Sequence, residues 1–107
     1  MTDLDKYFSY IKILEKTNKK LNLDDIDVLL LNAVAQALDA GRTLSVKDIL
    51  LMKDIASQAT IHGRLKHLVN IRLITLQSNK DDGRIKNVLL TALAHKRHQI
   101  LCDAMRG

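Results

Sequence analysis

The span from Ser57 to Arg84 constrains the fold most, because its hydrophobic period changes partway along it. Over Ser57–Asn70 the apolar residues Ile61, Leu65, Leu68 and Val69 recur at helical spacing. Thr60, Gly63, His67 and Asn70 fall on the other side of the wheel, flanked by Ala59, Arg64 and Lys66. That side is small, polar and basic, and no carboxylate lies between Ser57 and Asn70. A solvated helix ordinarily mixes both signs of charge. A helix that enters a DNA major groove needs small residues for close approach, with hydroxyl or basic groups to meet phosphates and base edges. Beyond Asn70, Leu73–Ser78 and Ile85–Leu90 read as strands around Asp82-Gly83, a strong hairpin dipeptide. The tip carries Lys80, Asp81, Asp82, Gly83 and Arg84, and Lys86 follows it. A helix followed at once by a charged-tip hairpin is the winged-helix arrangement, with the helix in the major groove and a wing cation in a minor groove.

The rest of the chain fits around this unit. A first helix is expected from Asp3 to about Lys20. Leu4, Ile11 and Asn18 are spaced by seven, as are Tyr7, Leu14 and Leu21, so the helix carries a short a/d-type seam with a polar Asn18 in it. All three aromatic residues, Tyr7, Phe8 and Tyr10, lie on this helix, and such rings favour interfaces. Residues 1–21 are therefore expected to form a dimerisation helix, with Leu4, Tyr7, Phe8, Ile11 and Leu14 at the contact. A second helix starts near Asp24-Asp25. It buries the stripe Ile26, Leu29, Leu30, Ala33, Val34, Ala37 and Leu38, with Gly41 as its C-cap. Thr43-Leu44 can add a short strand. Ser45 caps a third helix that reaches about Lys53, and Ser57 caps the fourth, a helix-turn-helix. Thr91 caps a last helix over residues 91–107. The predicted order is α-α-β-α-α-β-β-α: one mostly helical α+β winged-helix domain over residues 1–107, with a two- to three-stranded wing sheet.

Ala56-Ser57 and Ala59-Thr60 opening a helix, Asp82-Gly83-Arg84 in the hairpin, and Val88–Thr91 leading into a helix together resemble the MarR family of bacterial winged-helix regulators. The resemblance runs from about Leu44 to Ala94, and Ala94 stands where the family commonly has a glycine. At 107 residues the chain is shorter than typical members. The resemblance implies transcriptional regulation, a dimer built from the terminal helices, and a wing in which Asp82 orients Arg84.

Charge supports the same reading. Residues 1–40 hold five Lys against seven Asp or Glu, whereas residues 41–107 hold twelve Lys or Arg against five, so the positive part coincides with the proposed DNA-reading part. One cysteine excludes an intrachain disulfide and suits the reducing cytoplasm. The first residues lack the basic-then-apolar pattern of a secretory signal, and runs such as Val28–Leu31 are too short to span a bilayer.

Other chemistry is not expected. His95, His98 and Cys102 share one face of the last helix at i, i+3 and i+7, but three ligands on one helix rarely close a zinc site. They read as a polar face with a buriable thiol, without metal or cofactor. His62 and His67 diverge around their helix and cannot chelate together. Asp24-Asp25 and Asp81-Asp82 sit at a helix start and a turn, not in a catalytic pair, and no enzyme activity is expected.

The expected function is sequence-specific binding of double-stranded DNA by a homodimer. Ser57, Gln58 and Thr60 would meet phosphate or base edges. Ala59 and Gly63 would permit close approach, and Arg64 and His67 would reach bases or backbone. Arg84 would enter the minor groove, with Lys80 and Lys86 in support. The rival reading is a winged helix used as a protein–protein adaptor or antirepressor. The sequence does not disclose an operator or an effector.

Overall fold

The computed structural model describes residues 2–107. Its elements are α1 (Asp3–Lys20), α2 (Asp25–Asp39), β1 (Leu44–Ser45), α3 (Val46–Leu50), α4 (Gln58–Asn70), β2 (Ile74–Ser78), β3 (Lys86–Leu90) and α5 (Ala92–Arg106). The predicted order holds. The sheet has three antiparallel strands in the order β1-β3-β2, with Leu44 opposite Val88 and Ile74 opposite Leu90.

Local chemistry sets most boundaries. Thr2, Asp24 and Ser45 each cap their helix and are answered by an aspartate three residues on, giving capping boxes at α1, α2 and α3. Three helices end the same way. After α2, the Gly41 N–H donates to the Leu38 carbonyl and the Arg42 N–H to that of Ala37, with Gly41 at φ +77°. This is the Schellman motif, and the glycine sits just past the cap residue Ala40. Asn22 (φ 60°) and Arg72 (φ 64°) fill the same left-handed position after α1 and α4. Helix α3 is shorter than expected, ending at Leu50, because the chain turns through Met52–Ala56 before α4.

The core joins α2, α3, α4 and the sheet through Leu30, Leu31, Val34, Ile49, Ile61, Leu65, Leu68, Leu73, Ile74 and Val88. Two apolar residues expected there face outward: Leu29, 48% exposed, and Val69, 37% exposed. Helix α2 is rotated so that Asp27, Leu30, Leu31 and Val34 point inward. The run Leu29–Leu31 is apolar all round, so its composition could not decide which leucine turns in.

Helix α1 buries none of its residues and packs on α5. The molecule measures 53 × 26 × 23 Å, with a radius of gyration of 15.1 Å. A compact domain of this size has a radius of about 13 Å. Arg97 of α5 is buried and donates from Nε and Nη2 to Asn18 Oδ1 of α1 at 3.1 and 2.9 Å. That contact explains the polar residue in the α1 seam. Burial pushes the Arg97 guanidinium below its ordinary pKa, and its Nη1 has no partner. Among the described residues, no helix is long and apolar enough to cross a membrane.

Candidate nucleic-acid interface

Helix α4 seats Ile61, Leu65 and Leu68 in the core, which fixes what its other faces present. Gln58, Ala59, Thr60, His62, Gly63, Lys66 and Asn70 are exposed. Ser57 caps the helix, accepting from the Thr60 N–H at 3.2 Å, and its hydroxyl bonds the Thr60 hydroxyl at 3.0 Å. Helices α1, α2 and α3 each carry aspartate in the first turn, whereas α4, like α5, has none. The positive end of its dipole is therefore not offset by a carboxylate of its own, a favourable place for a phosphate.

Gly63 lies mid-helix, and a Cβ built there would meet nothing within 4 Å. The fold does not need a glycine at this position, although glycine weakens a helix by about 0.5–1 kcal/mol relative to alanine. The space above it is open.

Arg64 and His67 depart from the expectation that they reach outward. Successive residues turn by about 100°, which puts Arg64 at the edge of the buried stripe. Its Nη1 donates to Asp24 Oδ2 at 3.0 Å and Asp27 Oδ2 at 3.3 Å. His67 Nε2 donates to the Asn22 carbonyl at 2.9 Å and lies 3.8 Å from Asp27 Oδ2. Both side chains are turned toward the start of α2. Burial raises the Asp27 carboxyl above the ordinary range. Partial burial also acts upward on Asp24, but the Asp27 N–H and the Arg64 charge outweigh it and hold Asp24 below that range. Periodicity gives Asp27 no role, and it places Lys66 beside the polar face without assigning a contact to Lys66 or His62, the basic groups that the free face presents. One signal was available for Asp27, since an acid at i, i+3, i+4 and i+7 spacing with Leu30, Leu31 and Val34 calls for a buried cationic partner.

The wing is built differently from the hairpin dipeptide expected. Residues 79–85 form a seven-residue loop between the strands, closed by the Asn79 N–H on the Ile85 carbonyl at 2.8 Å. Asn79 Oδ1 accepts from the N–H groups of Asp81 and Asp82. Gly83 does not adopt positive φ, so its left-handed freedom is not used. Asp82 matters through its carboxylate, which receives the Arg84 backbone N–H at 3.0 Å and a fork from Nε and Nη2, both at 3.1 Å. That fork lowers the Asp82 carboxyl and raises the Arg84 guanidinium. The Arg84 side chain remains 91% exposed. Lys80 is exposed, and Lys86 Nζ reaches Ser78 Oγ at 2.6 Å. An open groove of about 780 Å³ separates the wing from α3, with Lys47, Arg84 and Lys86 on its walls.

Elsewhere, Leu4, Tyr7 and Phe8 are more than half exposed, while Ile11 and Leu14 are half-buried. The Tyr7 and Phe8 rings meet edge to face at 5.6 Å. Cys102 is exposed rather than buriable, as is His95, and His98 is partly buried. Among the described residues, no group of three or more His, Cys, Asp or Glu side chains is placed to hold a metal.

No protein-family model matches the chain, and no curated protein sequence does. Solved structures do. The S. aureus MepR–DNA complex superposes with a TM-score of 0.72 at 18% identity, covering 89% of this chain and 70% of that one. Reduced AbfR bound to DNA gives 0.65 at 17% identity, covering 97% and 72%. YusO from Bacillus subtilis gives 0.65 at 15% identity, covering 96% and 72%. These are MarR-family winged-helix regulators, and at such identities the likeness speaks to architecture. The chain has the MarR-like winged-helix fold.

Proposed function

We propose that this chain is a DNA-binding transcription regulator that acts as a homodimer on double-stranded DNA. The observation that carries the reading is the exposed face of α4, free of carboxylates, beside a wing whose Arg84 is held outward by Asp82. Two of the similar solved structures are DNA complexes, which supports the same use of the fold.

Ser57 and the free N–H groups of the first α4 turn would take a phosphate. Gln58, Thr60, His62 and Lys66 would face base edges or backbone in the major groove, with Ala59 and Gly63 allowing close approach. Arg84 would lie in the minor groove, with Lys80 and Lys86 on adjacent phosphates. Leu4, Tyr7 and Phe8 offer an apolar end of α1 that a second copy would cover. The test is binding of labelled duplexes across a salt series. A steep fall of affinity with salt and a preference among sequences are expected. Absence of binding at low salt would leave the fold serving protein–protein contact.

A further inference from the structure

Capping boxes open three helices, and they are not alike. At α1 and α3 the answering aspartates, Asp5 and Asp48, are exposed and bond only the backbone N–H of their own cap residue. At α2 the equivalent residue, Asp27, is 0% exposed. Its Oδ2 receives the Asp24 N–H and Arg64 Nη1, with His67 Nε2 close by, while Oδ1 has no partner. Capping a helix does not require this burial, as the other two boxes show. Burying a carboxylate with an unmatched oxygen costs stability, and buried ion pairs are often no better than apolar contacts of equal size.

What the arrangement gains is position. Arg64 and His67 lie one turn apart on α4, and both are held by groups within Asn22–Asp27. Asn22 owes its reach to left-handed backbone at the end of α1, which aims its carbonyl at His67. The middle and end of α4 are thereby tied to the α1–α2 junction, and its first turn is left free. The junction continues directly into α1.

We infer that Asn22, Asp24 and Asp27 form a seat that fixes the recognition helix relative to α1, and that Arg64 and His67 are positioning residues rather than DNA contacts. The inference rests on the DNA-binding reading above, but it makes a separate statement about the unliganded protein. Asp27→Asn keeps the size and one acceptor oxygen while removing one of the two carboxylate charges on Arg64, the other being that of Asp24. Arg64→Gln removes the other partner.

Two measurements on the full chain test it. The first is hydrogen exchange of backbone amides without DNA. In Asp27→Asn, protection of the second half of α4 should fall roughly 2- to 30-fold relative to α5. Unchanged protection overturns the seat whether or not DNA binds. The second uses the duplex pool that the parent protein enriches. Arg64→Gln should weaken binding by a similar factor at every salt concentration, with the salt slope unchanged, and Arg64→Lys should recover part of the loss. Asp27→Asn combined with Arg64→Gln should add little to either alone. A salt slope lower by about one unit in Arg64→Gln would make Arg64 a phosphate contact and sink the assignment. If α4 loosens as expected but the parent enriches no duplex, the seat stands and the DNA-binding reading falls.

Discussion

Gly63→Ala separates stability from the proposed function. The position is inside α4, exposed, and a Cβ there meets nothing within 4 Å. The added methyl therefore loses no packing and incurs no clash within the chain. Helix propensity alone predicts a stabilisation of about 0.5–1 kcal/mol. For a domain of this size that raises Tm by roughly 2–8 °C. The same methyl stands on the face proposed to enter the major groove. Lost close approach should weaken binding to preferred sequences by roughly 1–3 kcal/mol, or about 5- to 150-fold. Thermal unfolding followed by circular dichroism reads the first effect, and binding isotherms on preferred and random duplexes read the second. A variant that is more stable and binds as well as the parent would refute the claim that DNA approaches this face. A destabilised variant would refute the claim that the space above Gly63 is open.

Further changes report on other parts of the molecule. Arg84→Ala should weaken binding to all duplexes and lower the salt slope by about 0.9, with an added loss because Asp82 is left unpaired beside DNA; unchanged binding on every duplex would remove the wing from the interface. Leu4→Asp with Phe8→Asp alters exposed positions, so the fold should persist while sedimentation shifts from dimer to monomer; a parent protein that is monomeric at micromolar concentration ends the dimer proposal. Cys102→Ser should bind DNA like the parent with and without peroxide, and a peroxide response abolished by the substitution would restore a redox role for the exposed thiol. Burial, followed by the charges of Arg97 and His95, pushes the His98 imidazole below its ordinary pKa. Below about pH 6.5 the unfolded chain then takes a proton that the folded chain declines, so stability falls as pH drops through that window. His98→Gln should flatten this fall in denaturant titrations, and an unchanged pH slope would show that His98 does not cause it.

Periodicity carried the fold, and geometry between elements carried what it missed. The order of elements, the start of α2 near Asp24-Asp25, the caps at Ser45, Ser57 and Thr91, and the charged wing followed from local spacing and local chemistry. The rotation of α2 did not, because Leu29, Leu30 and Leu31 are chemically alike and only packing chooses among them. The contacts of Arg64, expected to reach bases or backbone, were hidden for a related reason. Its partners lie 37 and 40 residues away, and spacing within α4 says nothing of them. Asp82-Gly83 signalled a turn correctly, but the working part is the aspartate fork on Arg84 and not the freedom of the glycine. The polar Asn18 in the α1 seam is likewise explained by a distant partner, since its Oδ1 accepts from Arg97, 79 residues away.

The central claim is that this protein reads duplex sequence with two α4 helices. Selection of bound duplexes from a random pool tests it most directly. The account predicts enrichment of a palindrome whose half-sites lie about one helical turn apart, because a two-fold dimer presents two recognition helices at that spacing. Enrichment of a single half-site without symmetry would contradict the dimer, and a pool that stays random after repeated rounds would contradict sequence recognition itself.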